Sequence, residues 1–326
     1  MREMTFREAI VEALDMALGR DPRVFLLGED IGYYGGLFQA TQGLMQKYGE
    51  DRVMDSPISE SAIIGAGIGS AIVGMKPIVE IMNVDFIPVC MDQLVNQAAK
   101  MRYMFGGKMK IPVVVRTTCG AGRGGAAHHA QATHAAYMHF PGIKIVTAAT
   151  PYDAKGLLFT AIEDENPVLF VEDKMMYNMK GEVPEGYYTV PFGQAAVRHE
   201  GKDVTIVATL RMVHKALTVA KEMEEEGIGI EVIDPRTLCP LDKETIINSF
   251  KKTGKLIIVD EGNKIGNFGS EVASIIAEEA VGYIQAPIIK VTAPHVPVPY
   301  SPVLEKFYIP NEEGIKKAVH KVLEYA

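Results

Sequence analysis

The stretch VTIVATLRMVHKALTVAKEMEEEGIGIEVID, residues 204–234, decides the fold. Val204–Thr209 is an unbroken apolar and β-branched run, the pattern of a strand buried on both faces. Met212–Glu226 has helical period and closes on Glu222-Met223-Glu224-Glu225-Glu226, a solvated acidic end. Gly229–Asp234 is again a strand. A strand, a helix and a second strand in so short a space call for a parallel pair with a crossover helix, and so for an α/β protein.

Working outward toward the C-terminus, the alternation continues. A helix over Lys243–Lys251, a strand over Lys255–Asp260, a helix over Ser270–Ala280, a strand over Ile288–Thr292 and a helix over Glu312–Tyr325 complete a smaller α/β domain, 204–326. Residues 179–203, which include KGEVPEGYYTVPFGQAAVRHEGKD, are rich in Gly, Pro and charge and have weak periodicity. They read as a connection, with 188–203 as the linker proper and 1–187 as a first domain. In that domain residues 5–18 form an amphipathic helix in which Thr5 and Glu8 have capping-box spacing. Strands are expected at Val24–Leu27, Pro77–Met82, Ile111–Arg116, Ile143–Thr147 and Pro167–Glu172. Helices are expected at Thr41–Tyr48, Ile87–Met104 and Pro151–Glu163. The expectation is therefore two domains, each a parallel-type sheet flanked by helices.

Composition agrees and sets limits. The 326 residues are 48% hydrophobic and 23% charged, an ordinary globular balance and enough chain for two domains. The net charge of -8 argues against a general grip on nucleic acid or on an anionic membrane. No uncharged apolar run is long enough to span a bilayer, and MREMTFREAIVEALDMAL lacks the apolar core of a secretion signal. Cys90, Cys119 and Cys239 make no CxxC pair, which fits a reducing cytoplasm better than a disulfide scaffold or a structural zinc site.

Two features suggest chemistry. Glu60 opens a small-residue, apolar helix after the loop Asp55-Ser56-Pro57-Ile58-Ser59. It is either a helix-capping acid or an acid that holds a protonatable ligand. Its neighbours Gly65–Ser70 do not fit GxGxxG and read as a close-packing surface, with a phosphate cradle as the lesser alternative. The second feature is His128 and His129, after the glycine-rich run Cys119–Gly125, with His134 and His139 following. Without Cys, Asp or Glu nearby to complete a ligand set, a zinc site is disfavoured. The readings left are structural histidines or an acid/base histidine delivered by a mobile loop. GxxxxGK[ST] and GxSxG are both absent, and Met101, Met104 and Met109 read as packing.

The same residues carry a family resemblance. DSPISESAIIGAGIGSAIVGMKPIVEIMNVDF (55–86), RYMFGGK (102–108), AAHHAQ (126–131), FPGIKIV (140–146), TPYDAKGLL (150–158) and AIEDENPV (161–168) are similar to the beta subunit of the thiamine-diphosphate-dependent decarboxylase component of 2-oxo acid dehydrogenase complexes. So are VTIVATLRMVHKAL (204–217), IEVIDPRTLCPLD (230–242) and VPVPYSPVLEKFYIP (296–310). Within that family, MFGGK (104–108) and EDKMMYNMKGEVPEGYY (172–188) most resemble acetoin dehydrogenase beta subunits, with pyruvate and branched-chain enzymes close by.

The resemblance implies a transketolase-like pyrimidine-binding domain followed by a transketolase C-terminal-like domain. It also implies roles for single residues. Glu60 falls on the carboxylate that hydrogen-bonds the aminopyrimidine of thiamine diphosphate and activates it. Phe86 falls on the aromatic against that ring, and Glu29 on an acidic path near the cofactor. His129 falls on the histidine that assists acyl transfer to a lipoyl group; His128 stands beside it, and the spacing to Gln131 and Gly142 favours His129. Val113, Ala161, Ile162, Asp164 and Asn166 fall on a potassium site of mainly main-chain oxygens. Ala130 departs from the family's usual serine and leaves a hydroxyl out. The GDG motif that grips diphosphate and magnesium in this superfamily is also absent. The resemblance thus implies half a site, completed by an alpha subunit that holds Mg-diphosphate in an alpha2-beta2 heterotetramer, which delivers acyl groups to a lipoyl acyltransferase core. A non-catalytic assembly subunit is the alternative of another class. Half of a split transketolase acting on sugar phosphates is a third, for which Arg116 and Arg123 are the basic candidates.

Overall fold

The computed structural model describes residues 1–325, and they fall into two compact units. The first is Met1–Cys119 with Tyr137–Phe192; the second is Gly120–Ala136 with the chain from Gly193 onward. The segment Gly120–Ala136, which interrupts the first unit in sequence, groups with the second.

Six strands of the first unit lie side by side in the order Lys144–Thr147, Val168–Asp173, Val114–Cys119, Lys76–Asn83, Val24–Gly28, Val53–Asp55, and every neighbouring pair is parallel. Every residue of Val114–Cys119 and Val168–Asp173 is buried, as expected for central strands covered on both faces. Register places Leu26 between Val53 and Ile78. The Phe6–Arg20 helix carries the expected capping box: the Thr5 hydroxyl accepts from the Glu8 amide, and the Glu8 carboxylate accepts from Thr5 N at 2.7 Å. This helix packs against Pro151–Glu163, where Lys155, fully buried, bonds Glu12 at 2.7 Å.

Two expected helices are corrected. Ile87–Met104 is not one α-helix but a 3-10 turn, Val84–Cys90, a π-helical turn, Asp92–Ala98, and a short α-helix, Ala99–Met104. Pro88 lies inside the first piece, where it has no N–H to give an α ladder. The helix expected from Thr41 begins only at Leu44, because Gly43 is left-handed with φ +81°. A short antiparallel pair, Arg2–Thr5 with Lys180–Val183, has no periodic signature and is an addition to the sequence reading.

The second unit has a five-stranded sheet in the order Ile289–Ala293, Leu256–Asn263, Val204–Ala208, Ile230–Asp234, Ala196–His199. The first four are mutually parallel and the last is antiparallel. The Val204–Ala208 and Ile230–Asp234 strands and the Met212–Glu225 helix are those read from the opening stretch. The edge strand Ala196–His199 lies inside the segment read as a connection. Its half-exposed residues give no hydrophobic alternation; it is held instead by Arg198 on Asp234 at 2.7 Å and by the His199 ring on Ile230 O at 2.8 Å. No helix among the described residues is long and apolar enough to cross a membrane.

Candidate functional site

The first unit gathers three of the implied residues at one end of its sheet. Glu29 directly follows the Val24–Gly28 strand, Glu60 starts the helix after Val53–Asp55, and Phe86 lies in the turn after Lys76–Asn83. These strands are adjacent and parallel, so all three residues lie beyond their carboxyl ends. The chain order reverses direction across the sheet there, the place where open α/β sheets bind ligands. The loop after Glu29 is tied down by Asp55, whose carboxylate accepts from Gly32 N at 2.6 Å and from Tyr33 N at 3.0 Å. The Ser61 hydroxyl donates to Val89 O at 2.8 Å and fixes the Glu60 helix to the segment carrying Phe86.

Glu60 is 9% exposed, and no hydrogen bond or ion pair to its carboxylate forms among the described residues. Burial, and after it the charges of Glu60 and Asp30, raises the pKa of half-buried Glu29 above the usual carboxylate value. A nearly buried acceptor with no protein donor fits a protonatable ring nitrogen. The glycine run does not fit a phosphate: it lies inside the Glu60–Ile72 helix, and a Cβ on Gly67 would stand 2.8 Å from Val79 Cγ1, so Gly67 is a close-packing position against the Lys76–Asn83 strand. The residues present therefore suit the ring end of thiamine diphosphate and leave its diphosphate to other groups. Cys90, whose thiol burial and Glu60 push up to about 12, is inert.

The residues implied for potassium come together at the end of the Pro151–Glu163 helix. Val113 O accepts from Val168 N at 2.9 Å, and Asp164 N reaches Ala161 O at 3.3 Å. The Asp164 carboxylate accepts from Asn166 N at 2.9 Å and pairs with Lys144. Arg102 donates to Asn166 Oδ1 at 3.0 Å. The carbonyls of Val113 and Ala161 have room for a second bond each, whereas the Asp164 and Asn166 side chains are already engaged by Lys144 and Arg102. No group of three or more His, Cys, Asp or Glu that could hold a metal ion occurs among the described residues.

Sequence reading missed a buried ion network. Arg116, with 2% of its side chain exposed, donates to Glu172 at 2.8 and 2.9 Å and to Glu80 at 2.9 Å, and the Tyr177 hydroxyl bonds Glu172. Burial raises the Glu80 pKa against the pull of Arg116. Spent on two carboxylates inside the sheet, Arg116 is not a cation for a substrate phosphate at a pocket mouth. No sequence signal distinguished it from a surface arginine.

In the second unit, His128 and His129 are exposed, at the end of the short Ala126–His128 turn. Ala130 is 2% exposed and packs with Ala121, Ala293, Val298 and Tyr308. The missing hydroxyl thus sits in an apolar cluster, where methyl suits better. His134 is not part of a mobile acid/base loop: it is fully buried, with Nε2 3.0 Å from Asp260, which also accepts from Thr209 and Asn267.

Residues 2–180 match the model of the transketolase pyrimidine binding domain, and 193–315 that of the transketolase C-terminal domain. The chain is 46% identical to the Bacillus subtilis acetoin:2,6-dichlorophenolindophenol oxidoreductase subunit beta, over 99% of this chain and 98% of that one. It belongs to the family of beta subunits of thiamine-diphosphate-dependent acetoin and 2-oxo acid dehydrogenases. The Cupriavidus necator acetoin:2,6-dichlorophenolindophenol oxidoreductase beta subunit is 47% identical, over 99% of this chain and 98% of its own. The 2-oxoisovalerate dehydrogenase beta subunit of Bacillus subtilis is 45% identical over the whole of both chains. A solved structure described as a split gene transketolase, inactive beta4 tetramer, superposes with TM-score 0.82 at 27% identity over 99% of each chain. As a beta subunit the chain is one component of a multicomponent oxidoreductase, and its transketolase-like two-domain fold is that of the sequence reading.

Proposed function

We propose that this beta subunit supplies the pyrimidine half of a thiamine diphosphate site and, with an alpha subunit, splits acetoin, releases acetaldehyde and passes the acetyl group to the lipoyl group of an acyltransferase core. The observation that carries this is the Glu60 carboxylate, nearly buried beyond the strand ends and unengaged by any donor among the described residues. When bound, the cofactor supplies a nucleophilic carbon and an electron sink for breaking a bond beside a carbonyl. Glu60 holds a proton at the pyrimidine ring nitrogen, and each charge stabilises the other. Phe86 would lie against the ring, and Glu29, its pKa raised by burial and by the charges of Glu60 and Asp30, would belong to an acidic path beside Glu60. His129 assists transfer of the acyl group. Magnesium and the diphosphate belong to the alpha subunit in an alpha2-beta2 assembly. Potassium would be held by the carbonyls of Val113, Ala161 and Ile162, with Asp164 and Asn166 beside it. That Cys90, Cys119 and Cys239 form no disulfide among the described residues supports a cytoplasmic setting.

The 45% identity to a 2-oxoisovalerate dehydrogenase subunit favours a second reading, oxidative decarboxylation of a branched-chain 2-oxo acid or of pyruvate. Reconstituting the chain with an alpha subunit that carries GDG, and assaying acetoin, pyruvate and 2-oxoisovalerate with a dye acceptor, separates the two. Turnover of acetoin above both acids supports the first reading. If no substrate turns over in a well-assembled complex, the assembly-subunit alternative stands.

A further inference from the structure

Within the second unit the backbone amides of the glycine-rich loop converge on two carboxylates. Glu305, 5% exposed in the Pro302–Tyr308 helix, accepts from Gly122 N at 2.7 Å through Oε1 and from Gly124 N at 3.1 Å through Oε2. Glu261, also 5% exposed, accepts from Ala121 N at 2.6 Å and pairs with Arg211, which donates in turn to Ala121 O at 3.0 Å. Successive amides of this kind make a concavity that takes an anion, and here side chains of the same unit fill it. Gly122 at φ +121° and Gly124 at φ +69° give the backbone the turns that aim those amides. Ala126 follows at φ +52°, a conformation that persists in a non-glycine residue only where its surroundings impose it.

The loop is clamped at its far side as well. Gly120 N donates to Gln131 O at 3.1 Å, Ala130 packs on Tyr308 of the Glu305 helix, and His134 is held on Asp260. What stands between the clamps is Gly125–His129. Gly125 lies so close to His129 that a Cβ there would be 2.7 Å from His129 O. The path from Glu305 through Gly122 and Gly124 to Gly125 therefore ends on the backbone of His129.

We infer that Glu305 is a positioning residue for His129, setting the loop geometry in which that histidine serves acyl transfer. The inference rests on the role given to His129 above. Misplacing a catalytic group by a fraction of its reach slows the step it serves and spares steps it does not touch.

The test uses the complex reconstituted with its alpha subunit, and reads the ratio of turnover with a lipoyl domain as acceptor to turnover with a dye. Glu305→Gln keeps the shape and one acceptor oxygen but removes the charge. It is expected to lower that ratio at least about tenfold and to speed hydrogen exchange at residues 120–125. Should the glutamine variant fail to assemble, Glu305→Asp, which keeps the charge and withdraws it by one methylene, is read in the same way. An unchanged ratio, or an equal loss with both acceptors, overturns the inference. His129→Gln runs in parallel. If it keeps the wild-type ratio, the reading of His129 fails and the inference with it; if it loses the ratio while Glu305→Gln does not, the inference fails alone.

Discussion

At the scale of single residues, what could be read from the chain was chemical type in an unusual place. Glu60 stood out as an acid opening an apolar helix, and the histidines as a cluster behind glycines. The acids that anchor the glycine-rich loop did not, because Glu261 and Glu305 lie far along the chain from the Ala121 and Gly122 amides that donate to them, and nothing local marks an acid that will be buried by a backbone. Gly67 shows the reverse: a glycine in a run that suggests phosphate, explained by Val79 across the helix–strand contact. Gly67→Ala is therefore expected to destabilise the protein by about 1–3 kcal/mol, read as a lower Tm, without changing the affinity for thiamine diphosphate of the molecules that remain folded.

At the scale of elements, long periodic segments were legible and their irregularities were not. The core strands and the helices at 6–20, 151–163 and 212–225 emerge close to where the sequence puts them. The π-helical turn at Asp92–Ala98 and the edge strand Ala196–His199 escaped because hydrogen bonding, not hydrophobic period, defines them. The ion network joins three neighbouring strands, with Glu80 on one, Arg116 on the next and Glu172 on the third. Arg116→Met leaves two carboxylates buried without a cation, at an expected loss of about 3–5 kcal/mol in denaturant melts. Glu80 already has a raised pKa in the folded state, and losing Arg116 raises it further. A folded pKa above the unfolded one favours the protonated native form. The variant's deficit is therefore expected to be largest at neutral pH and above, and to shrink as pH falls through the folded value. At the end of the Pro151–Glu163 helix, potassium held by carbonyls would stabilise the native state alone. Exchanging potassium for sodium at constant ionic strength is expected to lower the Tm, by the equivalent of about 1–3 kcal/mol if the site was near saturation; no change would remove the ion from the proposal.

At the scale of the whole molecule, the order of strands and helices announced two α/β units, and the sheets bear that out. That Gly120–Ala136 groups with the second unit was not legible, since it rests on long-range bonds to Asp260, Glu261 and Glu305. At this scale the proposed site is half of one: Glu60 would hold the ring, and the chain has no GDG motif for the diphosphate. The most direct test is acetoin turnover by the complex of alpha subunit with wild-type chain and with Glu60→Gln, at matched assembly and saturating thiamine diphosphate. We expect the wild-type complex to turn over, and the variant to assemble but lose at least about a hundredfold in rate. Turnover at the wild-type rate by the Glu60→Gln complex would contradict the account.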